Sequence, residues 1–348
     1  LDADHLGLAI AELTTRETVS TSAIEGVKLD PDEVRSSIMR RLGLGDLQEK
    51  ADHLNAAARG MIDVLADSTQ NLQPLTLDRL FAWHEALFPS GRSGLSLILV
   101  GMLRGEEPMQ VLSGPIGRER VHYEAPPRNR LDAEMHQFLA WFNQPGSLNH
   151  ALRASLAHLW FETLHPVEDG NGRLGRAVFD LALALGATFH SKRTSRLWAV
   201  SPVLLKHRKE YYAQLEAAQK GDLDITEWLR WSLASVEQAS DDARVCIERV
   251  VQVAHFWTRH RETGMSPRQR RLLEMALAPN DPENGWITAK RAARQTKVER
   301  VTASRDLARL EELGVIQKDP AAGGRSTRYS VRLDVKEPLR LIGELQWN

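Results

Sequence analysis

The sequence predicts a mainly α-helical protein with one short β-hairpin, followed by a small C-terminal helical unit that ends in a second hairpin. Three observations predict it. Amphipathic stretches joined by short loops fill most of residues 2–258, the pattern of a helical bundle. A glycine-rich stretch over 92–127 interrupts them and holds two short extended segments around a turn. From Ser266 onward three helical stretches precede two extended runs. Residues 266–332 hold 14 Lys/Arg against 8 Asp/Glu, a local net of +6 in a chain whose net charge is −1.

The elements follow in order. Residues 2–18 read as a helix. Asp30-Pro31 pairs a capping carboxylate with a proline at the first helical position; the helix runs through Arg41 and Gly43 stops it. Residues 46–66 read as helical, with Leu54, Ala58, Met61, Ile62 and Leu65 as the apolar stripe. Thr76 caps a helix through Leu87, stopped by Pro89. Within 92–127, Gln110–Ser113 and Val121–Glu124 are the extended candidates, Gly114-Pro115-Ile116-Gly117 is the turn, and Ala125-Pro126-Pro127 ends the hairpin. Helices resume at 129–142, 149–164, 171–186, 202–219 and 224–258, and then at 266–278, 287–295 and 298–313. Strands at 314–318 and 328–331 flank Gly323-Gly324. No internal repeat is evident.

Composition narrows the function classes. A hydrophobic content of 42% and a charged content of 26% are ordinary for a globular protein. The near-zero net charge excludes polyanion binding by bulk charge. Cys246 is the one cysteine, which excludes an intrachain disulfide and fits a reducing, cytoplasmic compartment. No apolar run reaches about 18 residues and no secretory signal is visible, so no membrane association is expected. The chain begins at Leu1 inside a helical pattern, as an N-terminally trimmed form would.

The chemistry gathers at His165-Pro-Val-Glu-Asp-Gly-Asn-Gly-Arg-Leu-Gly-Arg176. A histidine ends an amphipathic helix, a carboxylate follows at Asp169, and Gly170-Asn171-Gly172 opens a buried helix. Free N–H donors, the positive helix end and the forks of Arg173 and Arg176 make an anion site. Asp169 suits a divalent cation beside that anion, and His165 suits a general base. This is a polyphosphate site with a proton acceptor at its edge.

The run resembles the Fic-domain signature H-x-F-x-(D/E)-G-N-G-R-x-x-R, departing only at Val167, where the family usually has Phe. The resemblance implies a Fic-type helical bundle with a β-hairpin flap, and transfer of AMP from ATP to a hydroxyl of a target protein. His165 would deprotonate the target Ser, Thr or Tyr, and Asp169 would bind Mg²⁺. The backbone of Gly170–Gly172 and the Asn171 side chain would cradle the phosphates, with Leu174 and Gly175 in the same helix start. Arg173 would hold the phosphate tail and Arg176 the γ-phosphate. Leu112, Ser113 and Gly114 look like the nucleotide-facing strand of the flap, which pins a target segment by strand addition; His122 and Tyr123 read as strand packing. Arg208–Tyr212 with Gln219–Asp222 resembles the helix beside the adenine, which makes Tyr211 and Gln219 base contacts. His158 reads as structural, and Trp160 and Phe161 as core.

Thr21-Ser22-Ala23-Ile24-Glu25-Gly26 resembles the family's inhibitory motif, (S/T)-x-x-x-E-(G/N), in which Glu25 would pair with Arg176 and displace the γ-phosphate. A glutamate ending a helix before a capping glycine is the plain alternative. Around it, Val34–Ile38, Arg41–Leu44, Trp83-His84, Met109–Val111 and Ala157–Phe161 look like a bacterial Fic subgroup. Val298–Leu310 resembles a winged-helix recognition helix, with Thr302, Ser304, Arg305 and Arg309 toward a groove and Arg325 and Arg328 on the wing. DNA is the partner that unit implies, protein contact or dimerisation the alternative. The division expected is an N-terminal region with the inhibitory motif over 1–70, a catalytic core over 71–260 and a winged helix-turn-helix domain over 261–348. The functions expected are an autoinhibited protein adenylyltransferase, or else a DNA-binding regulator whose Fic domain binds nucleotide or modifies itself, or an enzyme that removes AMP.

Overall fold

The computed structural model describes residues 3–44, 54–115, 118–144, 146–190, 197–278, 285–324 and 327–333. The chain forms two compact units, Leu6–Cys246, and Ile247–Asn348 together with Leu1–His5.

The first unit opens on α1 (Ala3–Ile24), which runs six residues past the expected end. Gly26 stops it, and hydroxyls bond back inside the helix: Thr15 donates to the Ala11 carbonyl and Thr18 to that of Thr14. Thr21–Ile24, the start of the segment expected to be inhibitory, is therefore helical, with Glu25 in the turn just beyond. Helix α2 (Pro31–Arg41) starts as its cap predicts, the Asp30 carboxylate accepting from Asp32 and Glu33 N–H. The expected helix over 46–66 is corrected: α3 is Ala56–Gln70, capped by the Asn55 side chain, and 46–53 lie outside the described residues. Asn55 offers a capping oxygen that ends the helix backward before the apolar stripe does. Helix α4 (Leu77–Leu87) is capped by Thr76 as expected.

The glycine-rich stretch holds two hairpins where one was expected. A small one pairs β1 (Arg92–Ser93) with β2 (Ser96–Leu97), and the expected one pairs β3 (Gln110–Ser113) with β4 (Arg120–Glu124) around a bulge after Val111. Helices α5 (Arg128–Asn143), α6 (His150–Leu164) and α7 (Asn171–His190) follow. The expected helix over 202–219 is two, α8 (Ser201–Lys206) and α9 (Arg208–Lys220), parted at His207, where φ −106° and ψ 30° leave the helical basin. Helix α10 (Thr226–Arg259) completes the set.

Helices α6 and α7 pack on one another as the central pair, with α3, α4, α5 and α9 against one or other of them. Their shared core includes Phe138, Phe161, Leu174, Val178 and Trp228, all buried; Trp160 is only partly so. A second cluster, Ala11, Val34, Ile38, Ala58 and Ile62, fastens α1, α2 and α3 together. Among the described residues no helix is long and apolar enough to cross a membrane.

In the second unit, α11 (Pro267–Leu277) starts with a capping box between Ser266 and Gln269. Then come β5 (Ile287–Thr288), α12 (Ala289–Thr296), α13 (Arg300–Glu312), β6 (Ile316–Lys318) and β7 (Arg328–Val331). The sequence pattern did not separate β5 from α12. The strands form one antiparallel sheet ordered β5-β7-β6 over a core of Leu272, Leu273, Leu307, Leu310 and Ile316.

Candidate active site

The site is the loop between α6 and α7. His165 caps α6 in the left-handed region (φ 48°, ψ 57°), its N–H still donating to the Phe161 carbonyl. That conformation costs energy in a residue with a Cβ and turns the ring out of the helix. The ring is then fixed through Nδ1, 3.1 Å from the Glu162 carbonyl oxygen. A carbonyl only accepts, so Nδ1 carries the proton and Nε2 is left as a lone-pair acceptor. Burial, opposed by that carbonyl and aided by Arg104, holds the imidazole below its ordinary pKa, which keeps it neutral.

Two clamps hold the loop. The Asn171 side chain accepts from Val167 N–H at 3.0 Å and donates to the Val167 carbonyl at 2.7 Å. Each of its polar atoms has a partner inside the loop and the residue is buried, so the side chain expected to cradle phosphates here holds the loop in shape. Val167 is buried in the main core, so the smaller side chain at the one departing position is fully packed. Arg104, buried, donates Nε to the His165 carbonyl at 2.9 Å and its backbone N–H to that of Pro166 at 2.9 Å, and its guanidinium also reaches the Pro126 carbonyl. Nothing in the sequence singled out Arg104, an arginine in an irregular loop.

Asp169 accepts from Gly170 N–H and from the Ser93 hydroxyl, which brings the β1–β2 hairpin onto the loop. Gly170, at φ 84°, turns the chain into α7, where Leu174 N–H bonds its carbonyl. Leu174 itself is core, and Gly175 faces α6 rather than the loop's open side. Arg173 lies over the Phe88 ring at 4.7 Å, and its buried Nε finds no hydrogen-bond partner among the described residues. An unsatisfied guanidinium donor beside the N-terminus of α7 fits an anion.

Arg176 meets the end of α1 and the turn after it. Its Nη2 donates to Glu25 Oε1 at 2.6 Å and to the Thr21 carbonyl at 3.2 Å, and its Nε to the Thr21 hydroxyl at 2.7 Å. The side chain of Arg176 is 4% exposed and that of Glu25 30%. Burial opposes the guanidinium charge most, but Glu25, Tyr211 and Glu162 together outweigh it and hold the Arg176 pKa above its ordinary value. A Cβ at Gly172 would collide with the Glu25 carboxylate, so the glycine makes room for it.

The β3–β4 hairpin adjoins the loop: the Tyr123 hydroxyl donates to the Thr163 carbonyl at 3.0 Å, two residues before His165. Leu112 and Ser113 on β3 and Gly114 just after it are exposed, and among the described residues the other edge of β3 pairs with no strand. His122 does more than pack. Its Nδ1 is 2.7 Å from Glu216 Oε2 on α9, and its Nε2 is 2.5 Å from the Ser113 hydroxyl. Tyr211, expected against the base, is corrected: it is 1% exposed, its hydroxyl 2.8 Å from His158 Nε2 in the core. Its neighbour Tyr212 is 40% exposed, with Arg208 over its ring. Gln219, half-buried, stands about two turns further along α9.

Residues 74–183 match the Fic/DOC family model, and residues 2–44 match that of a domain of unknown function. The uridine 5′-monophosphate transferase of Xanthomonas campestris is 32% identical over 118 residues, 32% of this chain and 21% of that protein. The protein adenylyltransferase Fic of Culex quinquefasciatus is 32% identical over 97 residues, 27% of this chain and 17% of that protein. The chain thus spans about a fifth of the length of these curated relatives. A Fic family protein from Desulfovibrio desulfuricans superposes with a TM-score of 0.51 at 20% identity, over 94% of this chain and 89% of its own. A Fic domain containing signaling protein from Bacteroides thetaiotaomicron gives 0.54 at 16% identity, over 71% and 92%. At such identities the likeness speaks for the fold. Helical architecture, motif loop and family match agree that residues 74–183 are a Fic domain.

Proposed function

We propose that the protein transfers AMP from ATP to a hydroxyl side chain of a target protein and is held in check by Glu25. The observation that carries this is the pairing of Glu25 with Arg176 beside a histidine whose Nε2 is free to accept a proton. The target hydroxyl oxygen attacks the α-phosphorus, its proton passes to His165 Nε2, and pyrophosphate leaves with the electron pair of the broken P–O bond. Arg173 and Arg176 hold the phosphate tail, the latter once Glu25 has withdrawn. Asp169 would hold Mg²⁺, which supplies charge neutralisation along the phosphates. The Asp169 carboxylate and the Ser93 hydroxyl beside it are oxygen donors of the hard kind such an ion takes.

Incubation of the parent, Glu25→Gly and His165→Ala with radiolabelled ATP and cell lysate tests this. Labelling is expected to rise in Glu25→Gly and vanish in His165→Ala; equal labelling by parent and Glu25→Gly, or label kept by His165→Ala, sinks it. Radiolabelled UTP in parallel separates AMP from UMP transfer, the chemistry named for the Xanthomonas relative.

The second unit supports a further reading, that of a winged helix binding DNA. Arg300, Val301, Ser304, Arg305, Ala308 and Arg309 line one exposed face of α13, cationic with small residues between. Thr302 is half-buried, and Arg325 lies outside the described residues. Arg305→Glu is expected to abolish a mobility shift of duplex DNA; an unchanged shift refutes the assignment to this face.

A further inference from the structure

The last turn of α6 carries a carboxyl group that the reaction above does not use. Glu162 is buried, and its Oε1 has no hydrogen-bond partner among the described residues. A carboxyl placed so is costly unless something answers it. Its Oε2 lies 3.9 Å from His165 Nδ1, the ring nitrogen that already donates to the Glu162 backbone carbonyl. The space it occupies exists because residue 175 has no side chain: a Cβ there would stand 2.6 Å from Oε1 and 3.2 Å from His158 Nδ1.

We propose that Glu162 is a positioning residue for His165, its carboxylate standing behind Nδ1 to stabilise the imidazolium that forms when Nε2 takes the target's proton. This rests on the general-base role of His165. The proton stays on Nε2 and the existing proton on Nδ1. Glu162 exchanges none with the ring and supplies only the opposing charge. Its backbone carbonyl fixes the tautomer while its side chain answers the charge, so one residue does both.

The charged and titratable groups facing Glu162 make this workable at physiological pH. From its own helix it meets His158 and His165, from α7 Arg176, from the end of α1 Glu25, and from α9 the Tyr211 hydroxyl. Arg104 and Asp169 act on His165 from the surrounding loops. Burial pushes the Glu162 carboxyl up to about 7, with Arg176 pulling it down and Glu25 pushing it up, so it ionises across the neutral range. His158 cannot serve instead, because its Nε2 is held by Tyr211.

An opposite charge within about 4–6 Å moves a pKa by about one to three units. In the full-length protein with isotope-labelled histidine, the His165 ring resonances, assigned through His165→Asn, are expected to move with an inflection near pH 7 in the parent as Glu162 ionises behind Nδ1, to lose that inflection in Glu162→Gln and to keep it in Glu162→Asp. In the Glu25→Gly background, transfer by Glu162→Gln at pH 8 is expected about tenfold slower, with the nucleotide KM changed by less than about twofold. The rise in rate around neutral pH is expected to disappear in Glu162→Gln and to return in Glu162→Asp. A merely packing role would lower rate without reshaping the pH profile. A His165 response around pH 7 that is the same in parent and Glu162→Gln, or a rate profile that keeps its shape, overturns the proposal. If no form transfers a nucleotide but His165 still shifts, the transferase reading fails and the coupling stands.

Discussion

Removing the Glu25 carboxylate has a consequence that can be measured without any target protein. Glu25→Ala leaves Arg176, 4% exposed, with the Thr21 hydroxyl and carbonyl as its remaining acceptors. Breaking a fully buried ion pair costs about 3–5 kcal/mol, because the surviving charge is stranded. Here Glu25 is 30% exposed, so water reaches the pair, and Thr21 still takes two of the guanidinium's protons. The expected cost is therefore about 2 kcal/mol, which for a unit of this size lowers Tm by about 6 °C. Mg-ATP at about a hundred times its Kd returns about 2.7 kcal/mol to a form that binds it freely. The parent gains less, since the nucleotide must first displace Glu25. Differential scanning fluorimetry of both forms with and without Mg-ATP reads all four states. Equal melting of the two ligand-free forms, or equal gains on adding Mg-ATP, would refute the reasoning.

Asn171→Ala removes both bonds to Val167 and strands a buried N–H and C=O, for an expected loss of about 2–3 kcal/mol in urea unfolding and about a hundredfold slower transfer. Tyr211→Phe strands His158 Nε2 and is expected to cost about 1–3 kcal/mol with the nucleotide KM unmoved, whereas Tyr212→Ala leaves stability alone and raises KM about fivefold. The Glu162 carboxyl is raised from its unfolded value to about 7, so its contribution to stability is fully present below about pH 4.5 and lost as pH rises through 7. Urea unfolding should accordingly find Glu162→Gln more stable than the parent by about 2 kcal/mol at pH 8 and little different at pH 4. His158, held neutral by burial with its pKa lowered to about 4, runs the other way, losing stability as pH falls below 6.5. The parent's stability is then flatter between pH 4.5 and 6.5 than that of Glu162→Gln.

Much of the fold was legible because caps and breakers act locally. Asp30, Thr76 and Ser266 each start a helix through bonds to their own next few residues, and no tertiary information is needed to place them. The motif loop was legible because its chemistry demands polar and glycine positions in a fixed run. What was missed depended on direction. Tyr211 and Tyr212 are adjacent on α9 and so point about 100° apart; sequence shows an aromatic pair but not which member turns inward. Asn171 has the right groups for phosphate, yet its own loop takes them first. Glu162 sits in Phe-Glu-Thr-Leu at a helix end, where a lone glutamate reads as solvated, and only the absence of a side chain at Gly175 reveals the space held for it. Arg104 and Ser93 reach the site from irregular segments, where periodicity carries no signal.

Arg104 also sets a dimension. One guanidinium spans from the His165 carbonyl to that of Pro126, where the β3–β4 hairpin ends, while the backbone of the same residue holds Pro166. The loop that carries His165 and the root of the β3–β4 hairpin are thereby fastened together by a single side chain. Under the proposed reading, a target strand added along β3 would enter a gap whose width this one side chain sets, and selection of the segment would turn on thickness before sequence.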